Sequence, residues 1–377
     1  MALGQILPTI RVEMSLTRSD AGLLFTGINI GAVLAYFLVR KADQWGRKTV
    51  LAVTIAGYTL ATLFTGLSTN IVMFAVCQLF ARFFLIAEYA TSMIIASEEF
   101  PAERRGMAMG TVSGFAVLGA VTCAGVVPML LQSEWGWRTV YFVGVLPLLG
   151  MAYLRRGLKE TAHFEAVEQR EAPFDWLHIW RTPYRARVIQ MGAIWFLAYV
   201  TAQNLIAFWK DFAMTERGLT SAESAKVIVL AATVSIVPVF LTGKLVDVIG
   251  RRRGAVLVFV TAAVGSYASY SAHGFWPLTV AMVLGVYAAS AFLPVLTAFT
   301  TELFPTELRG DAFAWSNNLI GRSSWIISPV ILGNLAEVYG WGPTMSATAF
   351  FPLLSLALIL LLLPETRALD IKAGAPI

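Results

Sequence analysis

The chain has 377 residues, 57% of them hydrophobic and only 14% charged, with a mean hydropathy of +0.69. A soluble domain carries roughly a quarter of its residues as Asp, Glu, Lys and Arg, so this composition excludes a soluble globular enzyme and describes a membrane protein. The net charge of +5 and the pI near 9.2 do not signal a nucleic-acid partner, because the basic residues are distributed as topology markers.

A helix rising about 1.5 Å per residue needs about 20 apolar residues to cross the hydrocarbon layer. Only a helix satisfies its own backbone amides in lipid. In chain order, the apolar runs predict spans over 20–39, 49–68, 71–96, 107–131, 139–154, 188–209, 222–243, 254–272, 276–300, 311–336 and 342–363. These eleven follow a remnant, ALGQILPTI from Ala2 to Ile10, which is apolar but too short to cross. No basic leader or small-residue cleavage site surrounds it, so a signal peptide is not expected. Either the chain begins inside its first helix or its start codon has been assigned late; a half-helix leaves a bundle with a missing wall, which favours the second.

Lys and Arg accumulate in cytoplasmic loops. The loops 40–48, 97–106, 155–187, 244–253 and 301–310 and the tail hold twenty of the twenty-eight. The opposite loops and the span ends beside them hold six: Arg11, Arg18, Arg138, Lys210, Arg217 and Lys226. The first set is therefore cytoplasmic. Two arginines remain, Arg82 and Arg322, both inside spans.

SEEFPAERRG at 97–106 returns as TELFPTELRG at 301–310, so that Phe100, Pro101, Arg105 and Gly106 recur 204 residues on as Phe304, Pro305, Arg309 and Gly310. Asp43, Gly46 and Arg47 recur at the same offset as Asp247, Gly250 and Arg251, and Gly136-Trp137 as Gly340-Trp341. A further pair, LKET at 158–161 and LPET at 363–366, falls one residue off that spacing. The chain is therefore two homologous halves. An N-terminal helical bundle is expected over 1–154 with its first span incomplete, a cytoplasmic linker over 155–187, and a C-terminal bundle over 188–377 with a short tail. Thirty-three linker residues are too few for an enzyme domain.

The loop D-x-x-G-R-[KR] in each half and the doubled E-x-x-P-x-x-x-R-G resemble the major facilitator superfamily over essentially the whole chain. YLRRGLKETAHF at 153–164 is similar to the corresponding segment of metabolite:proton symporters, TELFPTELRG with IGRSSWIISP at 320–329 to organic-anion and aromatic-acid symporters, and LPETR at 363–367 to the sugar-porter ending. The family glycine four residues before the loop aspartate is Gly243 in the second half but Val39 in the first. A Q-Q-x-x-G sugar pattern is absent from IWFLAYVTAQNLIAFW, and the proline-bearing glycine motif of drug antiporters from GTVSGFAVLG. The resemblance implies an all-α membrane protein with two pseudo-symmetric six-helix bundles, here with the first helix truncated. It also implies a monomer in the bacterial inner membrane, coupling to a proton, no cofactor and no catalytic or metal site.

Halves related by a pseudo-twofold axis along the membrane normal are suited to rocking about a central site, and rocking needs a breakable latch. Asp43, Gly46 and Arg47 with Asp247, Gly250 and Arg251 are the candidates, since such carboxylates can meet a basic residue or a helix N-terminus. Exposed ion pairs are worth only about 0–1 kcal/mol, which suits a contact opened every cycle; the plainer reading is ordinary positive-inside charge. Glu98, Glu99 and Arg105 with Glu302 and Arg309 join the same network, while Pro101 and Pro305 end their spans.

A charge buried at membrane depth usually faces a cavity or a partner. Arg322 lies about eleven residues into the predicted 311–336 span, beside Asn317, Asn318 and Ser323. A guanidinium there can pair bidentately with a substrate carboxylate, or be satisfied by helix carbonyls or a neighbouring acid. Arg82 reads first as a tie between helices and second as a substrate contact. Glu88 is the candidate proton carrier if it faces the cavity, and a paired acid if it faces another helix. Trp195, Tyr199 and Gln203 share one helical face and, with Asn204 near them and Tyr287, can line the pocket or simply pack. Asn29 is polar enough to bind ligand or another helix, and Gly27 and Gly31 are expected to permit close helix approach. Cys77 and Cys123 read as small apolar fillers, the histidines lack ligand spacing, and no phosphate loop is present.

The expected function is secondary active transport of a small-molecule substrate across the lipid bilayer, a carboxylate metabolite moved with a proton. The alternatives are a facilitator or exporter of sugar-like, neutral or hydrophobic solutes, and a transport-dead receptor or truncated product.

Overall fold

The computed structural model describes residues 2–99, 115, 118–119, 121–154, 177–305 and 308–366, with backbone alone at 40–44, 93–94, 96–99, 247 and 301. Among them all regular structure is helical: α1 (Ala2–Glu13), α2 (Arg18–Trp45), α3 (Arg47–Gly66), α4 (Ile71–Glu99), α5 (Val121–Leu130), α6 (Trp137–Leu154), α7 (Arg185–Ala207), α8 (Trp209–Thr215), α9 (Ser221–Ile249), α10 (Arg251–Ser271), α11 (Phe275–Glu302), α12 (Arg309–Tyr339), α13 (Trp341–Ala347) and α14 (Phe350–Leu362). Ten of the eleven predicted spans appear as helices long and apolar enough to cross a membrane, the last of them α13 and α14 together. The predicted 107–131 span lies partly outside the described residues and is represented by α5.

The duplicated loops have duplicated geometry. Gly46 and Gly250 end α2 and α9 with φ of +89° and +98° and begin α3 and α10 at once. An L residue resists that left-handed region, so glycine recurs at the same place in both halves. On the opposite face Gly136 and Gly340 also have positive φ, and the tryptophan after each is fully buried. Thr17 and Thr220 start α2 and α9 with matching capping boxes to Asp20 and Glu223, each satisfying backbone donors that the first turn leaves free.

The remnant is structured. Ile6, Leu7 and Ile10 of α1 are fully buried and join Phe25, Phe208 and Trp341 in one apolar cluster drawn from both halves. That shared cluster occupies the outer side of the molecule. On the cytoplasmic side the buried residues form two separate clusters, one around Val188, Phe299 and Ile359 of the second half and one around Ala35, Val50 and Ala87 of the first. Among the described residues, the halves are thus joined outside and separately cored inside.

α2 packs against both α4 and α12. Gly31 meets the Leu79 carbonyl, as expected of a close helix approach, whereas Gly27 has nothing within 4 Å of its Cβ direction and plays no such part. The close approach between halves is instead Gly22 on Gly333, where a Cβ on Gly22 would lie 3.0 Å from the Gly333 Cα and closer still to the Pro329 carbonyl. A Cβ on Gly243 would likewise meet nothing. The end of the predicted linker docks on the second half: Ile179 is fully buried in a short 3-10 turn, His178–Arg181, and Trp180 meets the Trp315 ring edge-on at 5.1 Å.

Candidate functional site

α12 is not a regular helix where the polar residues fall. Ala314–Gly321 is wound as a π-helix between two α-helical pieces, the kind of widened turn that often marks a functional position. It delivers Asn317 to Tyr199 of α7, the Asn317 amide donating to the hydroxyl at 3.2 Å. Tyr199 stacks on Trp195 at 5.4 Å and meets Trp325 of α12 edge-on at 5.2 Å. Trp195 is fully buried and donates to Thr300 Oγ1 at 3.1 Å. It therefore stands behind Tyr199 as support.

The two intramembrane arginines converge on Trp325. The guanidinium carbon of Arg322 lies 5.2 Å from the indole centre and that of Arg82 5.5 Å from it, both within cation–π range. Arg82, from α4, also gives Nε and Nη2 to Asn29 Oδ1 at 3.2 and 2.9 Å. Asn29 in turn donates to the Trp325 backbone carbonyl at 2.8 Å. Two donors at this centre, Arg322 Nε and Trp325 Nε1, are buried with no hydrogen-bond partner among the described residues. Glu88 is half-buried on the same helix as Arg82, and Tyr58 of α3 is within electrostatic reach of both.

Thus Arg82, Arg322, Asn317, Tyr199 and Trp195 are brought together. Asn318 and Gln203 are half-buried nearby in sequence. Tyr287 is engaged elsewhere, its hydroxyl 3.0 Å from Thr242 Oγ1 in a tie between α9 and α11. Asn204 is fully buried and donates to Ser328 Oγ at 2.7 Å. Trp325 was not singled out by the sequence, although its position three residues after Arg322, on the same helical face, is the signal that finds it. A small cavity of about 20 Å³, lined by Ala198, Thr201, Gly285 and Phe292, lies apart from the arginines and has room for about one water.

The outer face is held shut by charge. Arg11 of α1 pairs with Asp211 of α8, which also accepts the Trp341 indole N–H at 2.5 Å. Arg18 pairs with Glu216 at 3.1 Å, and its backbone N–H meets Glu337 at 2.7 Å. Ser19 hydrogen-bonds Asn334. Except for the Trp341 bond, which stays within the second half, these contacts cross between the halves. Within the first half, Glu13 binds Trp137 and Arg138 at 2.8 and 2.7 Å. The neighbouring Lys210 is only 1% exposed with no hydrogen-bond partner for Nζ among the described residues, and burial pushes its pKa down to about 8. Burial raises the Asp211 carboxyl, opposed by Arg11.

On the cytoplasmic face, the three repeated motifs of the second half meet. Arg251 grips Glu302 through Nε and Nη2, the latter at 2.6 Å. Glu365 of the LPET segment caps α10 by accepting the backbone N–H groups of Arg251 and Arg252 at 2.8 and 3.0 Å, and Thr366 donates to Glu302 at 2.5 Å. Arg309 folds back to the Phe304 carbonyl at 3.1 Å. In the first half Arg47 is buried; the side chains of Asp43, Glu98 and Glu99, all of Arg105 and, in the second half, the side chain of Asp247 lie outside the described residues.

A multi-pass helical bundle, sealed on its outer face above a mid-depth cluster of cationic and aromatic side chains from both halves, is a membrane transporter rather than an enzyme. The sequence model of the Major Facilitator Superfamily matches residues 1–247 and again 195–375, and the chain belongs to that family. It is 26% identical over 377 residues to a probable 4-methylmuconolactone transporter of Cupriavidus pinatubonensis, covering 97% of this chain and 87% of that one. It is 23% identical over 353 residues to the sialic acid transporter NanX of Escherichia coli, covering 92% and 85%. Among solved structures, the inward-open xylose transporter XylE of E. coli superposes with a TM-score of 0.77 over 98% of this chain and 94% of that one, at 16% identity, a likeness of fold. The chain is a multi-pass integral membrane protein that moves a small molecule.

Proposed function

We propose that this transporter carries a small organic carboxylate together with a proton, the bundles 1–154 and 188–377 rocking about the Arg322 centre with 155–187 as their cytoplasmic link. The observation that carries the reading is the pair of buried, unpartnered donors, Arg322 Nε and Trp325 Nε1, on a surface already carrying a second guanidinium. Donors left bare at membrane depth are costly, and a carboxylate supplies acceptors for a planar guanidinium fork. The relatives named for sialic acid and 4-methylmuconolactone are compatible with such a substrate. Glu88, half-buried and six residues from Arg82, is the proton carrier in this reading: substrate charge at Arg82 and proton occupancy at Glu88 are felt within one helix.

The test is uptake into proteoliposomes of labelled sialic acid and of muconolactone-type carboxylates, with and without an imposed pH gradient. Arg322→Lys keeps the charge but loses the fork, and is expected to weaken affinity at least tenfold with near-normal expression. Glu88→Gln is expected to abolish gradient-driven accumulation while exchange persists. Unchanged affinity in the first variant removes the anion site, and retained accumulation in the second removes Glu88 as carrier. A neutral-solute facilitator would transport independently of both.

A further inference from the structure

Pro329 takes a hydrogen bond out of the middle of α12. In an α-helix the carbonyl of residue i is met by the N–H of residue i+4, and proline has none, so the Trp325 carbonyl lacks its helical donor. The donor it receives comes from the other half of the chain, Asn29 Nδ2 at 2.8 Å. The same amide accepts Arg82 through Oδ1. A carboxamide can do both at once, because a guanidinium only donates and a carbonyl only accepts; the two partners fix which way the amide is turned. Asn29 is 1% exposed, so neither bond is shared with bulk water.

Position makes this contact more than a strut. Asn29 lies eleven residues inside α2, about 16 Å from its outer end at 1.5 Å per residue. One turn outward, Thr26 donates to the Ile326 carbonyl at 2.6 Å, and beyond it Gly22 meets Gly333. Cytoplasmic of it, the buried clusters of the two halves are separate among the described residues. Of these three contacts between α2 and α12, the Asn29 bond lies deepest in the membrane.

We propose that Asn29 and Pro329 together form the mid-depth bolt of the outer gate: Asn29 donates to the Trp325 carbonyl while the outer side is closed and releases it when the halves part, keeping its hold on Arg82 throughout. The proline is what makes the bond switchable. An ordinary helix satisfies that carbonyl internally in every state and gains nothing from the partner half. With proline four residues on, the closed state alone supplies the donor, and Asn29 acts as a positioning residue joining the gate to the arginine centre. This holds whatever solute is carried.

The test reads gate geometry directly in the full chain in lipid nanodiscs. Spin labels at Thr69→Cys and His273→Cys, both exposed at outer ends of opposite halves, are placed in a Cys77→Ala, Cys123→Ala background, and their separation is measured by pulsed dipolar spectroscopy. Asn29→Asp still accepts from Arg82 but cannot donate to the carbonyl. Pro329→Ala restores the helical N–H and never touches Arg82. Each is expected to raise the ratio of long to short separations by about tenfold, the scale of one hydrogen bond, and the double variant no further than the larger single change, because both delete the same advantage. A Pro329→Ala distribution identical to the parent, or a double variant whose shift is the product of the two, overturns the proposal. Should Asn29→Asp not fold, the Pro329→Ala arm alone decides it.

Discussion

Arg322 and Arg82 come from opposite halves of the chain and share one ring, their guanidinium carbons 5.2 and 5.5 Å from the centre of the Trp325 indole. Two like charges are held close in low dielectric, where repulsion is strong, and the electron-rich indole within reach of both eases the cost. An anionic solute eases it further.

Trp325→Leu removes the ring from both guanidiniums and deletes the bare indole donor. A cation–π contact is worth about 0.5–2 kcal/mol, so affinity in the uptake assay is expected to fall by about tenfold, with Trp325→Phe between the two. Equal KM for all three side chains would show that the ring does not shape the anion site.

Gly22→Ala places a methyl against the backbone of Pro329 and Gly333, where no flexible side chain can yield. The outer side should then fail to close, and maximal uptake is expected to drop more than about tenfold, since packed interfaces accept added volume poorly. Gly27→Ala, in the open direction on the same helix, should stay within about twofold of the parent. Wild-type transport by Gly22→Ala would refute outer closure by this contact.

Arg251 and Glu302 are 13% and 14% exposed, so their pairing is partly shielded from solvent. A double-mutant cycle with Arg251→Gln and Glu302→Gln, read by thermal unfolding in detergent, is expected to give a coupling of about 0.5–3 kcal/mol. Additive losses would mean that the two side chains only sit near each other.

Lys210 predicts a pH dependence. Its folded pKa is about 8 against an ordinary 10.5. Between those values the unfolded chain holds the proton and the folded chain does not, so this group makes stability rise with pH across that window. Below about 8 both forms are protonated and the burial penalty is complete. Lys210→Met is therefore expected to raise the melting temperature near neutral pH, by about 2–4 °C per kcal/mol recovered, with the gain shrinking above pH 8 and gone by about 10.5. A gain independent of pH would assign it to packing instead.

The helical spans, the duplicated glycine–arginine loops and the mid-membrane arginines were all legible in the residues, because lipid enforces length and apolarity locally and a duplicated fold repeats its turns. The breaks at Phe208, at 314–321 and at Thr348–Ala349 were not, since composition there remains apolar and the irregularity answers to neighbouring helices. Tyr287 and Gly27 read as plausible from spacing alone, yet the first is spent on Thr242 and the second faces open space. The outer ion pairs were invisible for the same reason. Arg11 and Asp211 stand 200 residues apart, and no local pattern marks them as partners.

What the sequence determined by itself was a two-part helical transporter with most of its basic residues sorted to one face, because hydrophobic run length and basic-loop bias act residue by residue. Only the tertiary structure decided that Asn29, Arg82, Arg322 and Trp325 form one centre and that the outer face is closed over it. Those facts depend on which faces of α2, α4 and α12 meet, and that is settled by packing between segments three hundred residues apart, where a proline in one helix leaves a carbonyl for an amide in another.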